Sequence, residues 1–426
     1  MVNKSVLMIV GCLLLVQLAL AQKSDSVLVL SNLIKEALQN NPDLKSAESS
    51  WKSDLAKVPQ AGTLPDPQLS FNLMNLPVNS FDFNQEPMTG KQVALMQMFP
   101  FPGKQGLRED IAREGASVSE ARRDELRNQL IRNVKMTYYN LFFVDQAIQI
   151  THKNTQTLEE FIKIAETKYS VGKGIQQDVL RAQVELSKMM DKQIKLEQQR
   201  EELEAQLNTL LNRPAVSMWG KTEELQFADF AYDYQSLKEM ADENRPLLKA
   251  WQAMVNQSER KVKLARRDYW PDFSLGVAYS QRETLQNGMG GVDFFSGMFS
   301  MKIPLYFWRK QNKKVEENQL AQISSQEKYN EVSNQVYSEL DRVLSDIQKN
   351  KRLVELFKTG ILPQASQSLK SAIAGYQTDK VDFLTLLNNQ INLFNFEQDY
   401  YRVLSDYYIG ISRLEAATGV ELMQEQ

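Results

Sequence analysis

Seven methionines fall into two groups along this chain. Met74, Met88, Met96 and Met98 lie in one stretch, and Met289, Met298 and Met301 in another. Thioethers are soft ligands, and such groups can pass Cu(I). Methionine is equally a flexible filler of irregular packing, and both readings stand at this level. The residues of most enzyme chemistry are scarce. His152 is the single histidine and Cys12 the single cysteine. A Ser-His-Asp triad, a His-based zinc site and a Cys-His pair all need more than this. No G-x-S-x-G occurs, and the Gly-Lys pairs at 90–91, 103–104 and 172–173 lack phosphate-loop spacing. Carboxylates are plentiful, but they sit on helical faces where solvation accounts for them. His152, alone on a long helix, reads as a solvated surface residue. These features argue against an enzyme, a cofactor and a resident metal. With 24% charged residues and a net charge of −3, nothing points to nucleic acid.

The elements that must position any site begin after an export signal. Lys4 precedes an apolar run from Val6 to Leu20, which ends in Ala19-Leu20-Ala21. Charge, apolar run and small-residue cleavage site together describe a signal peptide over 1–21. Ile9-Val10-Gly11-Cys12 resembles a lipoprotein box, but the apolar run continues past Cys12. Removal of the signal leaves a mature chain with no cysteine and no disulfide.

The mature chain repeats itself. Pro42, Pro67 and Pro100 recur as Pro246, Pro271 and Pro304, each 204 residues later. Leu33 with Leu237, Ala37 with Ala241, Leu44 with Leu248 and Ser70 with Ser274 keep the same offset. Proline marks element boundaries, so conserved proline spacing means conserved elements. Residues 22–426 therefore form one architecture of two repeats, about 31–213 and 235–420.

Each repeat opens with a short helix, the first with Ser31 as candidate N-cap. Pro42 breaks it and restarts a second helix to about Lys57. Two strands follow: Gln68–Leu76 and Lys91–Phe99 in the first repeat, Asp272–Gln281 and Phe295–Ile303 in the second. Phe273, Leu275, Val277 and Tyr279 alternate with Ser274, Gly276, Ala278 and Ser280. That alternation suits a half-buried soluble sheet or a transmembrane barrel. Phe99, Phe101, Trp270, Tyr306, Phe307 and Trp308 gather where strands meet helices, as an interfacial girdle or as core aromatics. Long helices then run from about Gln105 to Lys168 and from about Lys310 to Ala374. Punctuated turns and return helices near 176–212 and 382–418 complete each hairpin. Their narrow apolar stripes contact neighbours along one seam.

Four strands cannot close a barrel, which needs about eight, and open edges are not tolerated in lipid. If they span, several chains share one barrel. The order of helix, strands and hairpin, duplicated, resembles the TolC family of outer-membrane efflux proteins over nearly the whole mature chain. The closest pieces are Tyr169-Ser170-Val171-Gly172 with Asp178-Val179-Leu180-Arg181-Ala182-Gln183, and Tyr376 with Leu387 and Gln390. Pro65-Asp66-Pro67-Gln68-Leu69-Ser70, Asn75-Leu76-Pro77 and Gln97-Met98-Phe99-Pro100-Phe101-Pro102-Gly103-Lys104 are similar to the heavy-metal branch, the outer components of cobalt-zinc-cadmium and copper efflux systems.

The resemblance implies a mainly α fold with membrane β. Long α-helical hairpins form a helical barrel, and four transmembrane strands per chain enter a shared trimeric β-barrel in the outer membrane of a Gram-negative cell. It implies a homotrimer, outer-membrane lipid around the barrel, a periplasmic membrane-fusion adaptor, and an inner-membrane pump of RND or other type. The function expected is a passive conduit of a tripartite system exporting metal ions or small toxic molecules. A soluble periplasmic coiled-coil adaptor is the alternative. The family's adaptor-docking tips map to Tyr169, Ser170, Val171, Gly172, Lys173, Gly174 and Asp178, and to Tyr376, Gln377, Thr378, Asp379 and Lys380. Where the best-known members ring the pore with two aspartates, this chain has Thr385 and Asn388. An acidic constriction would then use Asp379 and Asp382, whose like charges repel one another and attract cations. The bland reading makes both ordinary acids at a helix N-terminus.

Overall fold

The computed structural model describes residues 27–423. The signal segment and Cys12 lie outside the described residues. In chain order the elements are α1 (Leu30–Asn40), α2 (Pro42–Gly62), β1 (Gln68–Met74), β2 (Gly90–Phe99), α3 (Lys104–Ser170) and α4 (Gln176–Leu210). The second repeat supplies α5 (Tyr234–Asn244), α6 (Pro246–Arg267), β3 (Asp272–Gln281), β4 (Phe294–Lys302), α7 (Gln311–Leu356), a π turn (Phe357–Ile361), α8 (Leu362–Gln377) and α9 (Phe383–Thr418). The chain divides into two compact units. One holds residues up to 46, 124–245 and 335 onward; the other holds 47–123 and 246–334.

The second unit contains an antiparallel sheet in the order β1-β2-β3-β4. Directly paired residues share a face. Leu69, Phe71 and Leu73 therefore lie on the same face as Val93, Leu95, Phe99, Phe273, Leu275, Val277, Tyr279, Phe295, Phe299 and Met301. The opposite face carries Ser70, Asn72, Gln92, Ala94, Ser274, Gly276, Ala278, Ser296 and Ser300. Phe71 is 75% exposed and Phe295 is 74% exposed. The methionines divide between the faces and the loops. Met96 and Met298 flank Gly276 on the polar face, Met301 lies on the apolar face, and Met88 and Met289 stand outside the strands. Behind the sheet, the buried Lys104 ammonium donates to Asp272 Oδ1 at 2.7 Å and to the Trp270 carbonyl at 2.9 Å. Asp272 Oδ1 also accepts the Phe101 amide at 2.8 Å.

The first unit is built from packed helices. Its largest apolar cluster joins Leu158 and Phe161 of α3, Val179 and Met189 of α4, Leu369 and Tyr376 of α8, and Phe383, Leu386 and Phe394 of α9. A second cluster gathers Leu33 and Ala37 of α1 around Val134, Tyr138 and Leu141 of α3 and Leu207 of α4.

Four local features differ from the sequence reading. α1 starts at Leu30 with Val29 as its cap, so Ser31 falls inside the first turn. The Leu28 amide donates to the Lys221 carbonyl at 2.9 Å, which holds the chain extended up to that point. α2 runs past Lys57 to Gly62 with Pro59 inside it, giving up one ladder bond close to its end. β1 stops at Met74 because Asn75 turns left-handed at φ 49°. The second long helix is not continuous. Pro363 has no amide hydrogen and its ring collides with the preceding turn. The helix widens into the π turn just before it, where the Leu362 amide reaches the Phe357 carbonyl, and then resumes.

The repeat offset also changes along the chain. Lys104 corresponds to Gln311 and Ser170 to Gln377, an offset of 207 rather than 204. Three residues therefore enter the second copy between Pro304 and Gln377.

Candidate functional site

The two turns that close the long hairpins share one geometry. At the first tip the Lys173 amide bonds the Lys168 carbonyl at 2.8 Å, and the Gly172 amide bonds the Tyr169 carbonyl at 3.0 Å. At the second tip the Lys380 amide bonds the Gly375 carbonyl at 2.9 Å, and the Asp379 amide bonds the Tyr376 carbonyl at 3.3 Å. Both are helix ends closed by one left-handed residue. That residue is Gly172 at φ 74° in the first tip and Asp379 at φ 59° in the second.

The positions facing each other across these turns are complementary. Gly174 lies against Lys168, where an added Cβ would stand 3.1 Å from the lysine Cβ. The equivalent pair in the second tip is Val381 against Gly375, where an added Cβ would stand 2.5 Å from the valine Cγ2. Each turn has room for one side chain, and the two repeats place it on opposite sides.

Lys168 joins the two tips. Its ammonium donates to the Tyr376 carbonyl at 2.5 Å and to Asp379 Oδ1, and it sits 4.2 Å from the centre of the Tyr376 ring. The Lys168 bond holds the Asp379 carboxyl below its ordinary range, with the lysine charge adding to the effect. Tyr376 is buried and packs edge-on against Phe383 at 5.5 Å. Burial pushes its hydroxyl up, and the charges of Asp178 and Asp379 push the same way. At the first tip Tyr169, Val171 and Ile175 stay exposed.

Asp382 caps α9. Its carboxylate accepts from the Thr385 amide at 2.8 Å and the Thr385 hydroxyl at 2.9 Å. The backbone bond to Thr385 is the main reason its carboxyl is held low. Asp178 stands in the first turn of α4. Partial burial raises its carboxyl, Arg181 opposes this, and the charge of Asp382 adds to the rise. Thr385 and Asn388 lie exposed on α9 one and two turns beyond Asp382. Asn388 also lines a groove of about 400 Å³ with Leu180, Arg181, Val184, Leu384, Leu387 and Ile391. Among the described residues no grouping of His, Cys, Asp and Glu could hold a metal ion, and no helix is long and apolar enough to cross a membrane.

A family model described as outer membrane efflux protein matches residues 33–213 and 237–420. The chain belongs to the outer membrane efflux protein family. The two matches begin at Leu33 and Leu237, the same offset that the prolines keep. This efflux protein is 21% identical over 406 residues to the cobalt-zinc-cadmium resistance protein CzcC of Cupriavidus metallidurans, covering 92% of this chain and 90% of that protein. It is 20% identical over 294 residues to toxin and drug export protein A of Aggregatibacter actinomycetemcomitans, covering 66% of this chain and 64% of that protein. Its fold matches that of the Vibrio cholerae outer membrane protein VceC with a TM-score of 0.77 at 18% identity, over 92% of this chain and 97% of that one. Membership makes the chain an outer-membrane efflux component and not an enzyme, and it sets aside the soluble adaptor reading.

Sequence reasoning about this efflux protein missed Lys168. Its signal was the glycine at the equivalent position of the second repeat, Gly375. It also missed the buried cluster that fixes the segment joining the repeats. Arg200 Nε donates to Asp145 Oδ1 at 2.8 Å, and an Arg200 terminal nitrogen donates to the Gly220 carbonyl at 2.8 Å. Asp145 Oδ2 accepts the Thr222 amide at 3.0 Å. Burial works against the Arg200 charge, but the bonds and charges of Asp145 and Glu204 outweigh it and raise the guanidinium.

Proposed function

We propose that this efflux protein is the outer-membrane channel of a tripartite export system, in which three copies share one barrel. The observation that carries the reading is the two-faced sheet. One face is mostly apolar across all four strands, broken by Lys91 and Gln97, the other is mostly small or polar with Met96, Met98 and Met298 among its residues, and β1 and β4 both end the sheet as edges. An apolar outer face and a polar inner face are what a strand between lipid and a water-filled lumen needs. Lipid supplies no hydrogen-bond partner for an edge, so the edges must pair with other copies. Three chains of four strands give a barrel of about twelve, within the range that holds an aqueous lumen.

The tips divide the remaining work. A periplasmic membrane-fusion adaptor docks on the exposed side chains of the first tip, Tyr169, Val171 and Lys173, and along the groove lined by Leu180, Val184 and Leu384. Asp382, Thr385 and Asn388 form the narrowing face of α9. Asp379 is drawn into the Lys168 contact, so the constriction charge falls to Asp382. The inner-membrane pump selects the cargo, metal ion or small toxic molecule, and this chain conducts it.

Detergent extraction followed by native mass spectrometry and planar-bilayer recording tests this. A three-copy mass and a cation-preferring conductance that loses selectivity in Asp382→Ala are expected. A monomer soluble without detergent that conducts nothing would sink the reading. Unchanged selectivity in Asp382→Ala would sink the constriction alone.

A further inference from the structure

Every leucine and valine of the four strands stands on one face of the sheet: Leu69, Leu73, Val93, Leu95, Leu275 and Val277. The opposite face has none. Its residues are mostly serine, glycine, alanine, asparagine and glutamine. The only non-aromatic apolar side chains larger than alanine on it are Met74, Met96, Met98 and Met298. Met74 lies at the far end of β1, where its sulfur accepts from the Ser280 hydroxyl at 4.0 Å. The other three stand around Gly276.

Strand register and a missing side chain bring them together. Met96 on β2 is directly opposite Gly276 on β3, and Gly276 is directly opposite Met298 on β4. The two methionines are therefore two strands apart with no side chain between them. An added Cβ at Gly276 would stand 3.2 Å from the Met298 methyl and 3.6 Å from the Met96 Cα, so the Met298 chain lies across the glycine toward Met96. Met98 is the next residue of β2 on this face. It is 39% exposed, and Ser274 and Ser300 complete its row.

On the reading that this face lines a water-filled lumen, we infer that Met96, Met98 and Met298 form a transit site for a soft monovalent cation, Cu(I) or Ag(I). Methionine serves as filler where packing is irregular and dry. An open wall has no gap to fill, and leucine would supply the same apolar bulk. What methionine adds is the thioether, a soft ligand that prefers such ions to hard ones such as Mg(II). Neutral sulfurs leave the charge of the ion uncompensated and carry no proton for it to displace. Binding is therefore loose and insensitive to pH, which suits a wall that must take an ion and let it go. All three sulfurs come from one chain, so each copy carries a complete site.

The test uses the full chain, purified in detergent and inserted into planar bilayers in nitrate salts, with Ag(I) as the probe. Ag(I) should reduce the single-channel current reversibly, and Mg(II) at the same concentration should not. Met96→Leu and Met298→Leu keep the apolar bulk and remove the sulfur, and each should weaken the block about tenfold. Met301→Leu, on the opposite face, should leave it unchanged. Undiminished block in the chain carrying both Met96→Leu and Met298→Leu overturns the site. Block that fades from about pH 7 to about pH 4 assigns the ion to carboxylates and overturns it as well. A channel that conducts normally and ignores Ag(I) overturns the site and leaves the lumen standing. A chain that forms no conducting channel overturns the lumen, and the site with it.

Discussion

At the first tip Gly172 turns the chain left-handed, and Tyr169 and Val171 face outward. At the second tip Asp379 takes the same conformation, is held by Lys168, and closes over a buried Tyr376. Two turns with one hydrogen-bond pattern thus differ in what they bury. The first leaves Tyr169, Val171 and Ile175 exposed. The second is fastened to the first through Lys168. Glycine explains how the duplicate could diverge. Each turn accommodates one side chain at the facing positions, and putting lysine in one repeat and valine in the other made one tip able to reach across.

The strongest way to break the comparison is to fill the second turn. In Gly375→Ala the new methyl would stand 2.5 Å from Val381 Cγ2. A clash of this kind should cost the second tip about 1–3 kcal/mol. Hydrogen exchange at the Lys380 amide should speed up accordingly, while exchange at Lys173 stays as it was. Val381→Gly in the same chain should restore it, because the pair then has the glycine it needs.

A smaller effect is expected from cutting the bridge. Lys168→Ala removes the bonds to Asp379 and to the Tyr376 carbonyl, and exchange at Lys380 should rise roughly tenfold. Asp379→Gly relieves the left-handed conformation as it removes the ion pair, so alone it should change exchange little. It should also abolish the sensitivity to Lys168→Ala. If Lys168→Ala stays as damaging beside Asp379→Gly, the bond to the Tyr376 carbonyl and not the carboxylate carries the contact.

The smallest effect is that of pH. Asp379 and Asp382 are both held below their ordinary value of 3.8, the first mainly by Lys168 and the second mainly by the Thr385 amide. A carboxyl held low in the folded chain contributes stability above its unfolded value and loses it as pH falls through the lowered one. A spin label at Gln377 should therefore become mobile only below about pH 4. Asp178, raised chiefly by burial, takes up its proton earlier on the same descent, which relieves its repulsion with Asp382 before the clamp fails. A label at Ser170 should show no matching transition.

Much of this was legible in the residues. Proline spacing exposed the duplication, alternation in Phe273–Ser280 exposed the two-faced strand, and helical intervals exposed the long hairpins. Asp272–Gln281 was placed to the residue, because Pro271 before it and the polar turn after it bound it sharply. The second long helix reads as unbroken from about Lys310 to Ala374 because its apolar stripe, Val332 to Ile347, lies wholly before Pro363. A π turn shifts the register by a single residue, too little to disturb a periodicity count. The Lys168 bridge and the Asp145–Arg200 cluster stayed hidden for another reason. Their partners come from distant parts of the chain, and surface-like polar residues carry no periodic signal of who will meet them.

The central seam of the sheet pairs β2 with β3, strands from different repeats. Gln92 and Ser280, bonded across it, are 188 residues apart in sequence. Local hairpins form early, and pairings that close long loops form late. During export the first repeat therefore crosses the inner membrane well before the strand that will cover its edge. From then until β3 arrives, β2 is an apolar ribbon with an open side, the kind of surface that aggregates. The duplication that doubles the channel wall also sets a delay in its own assembly.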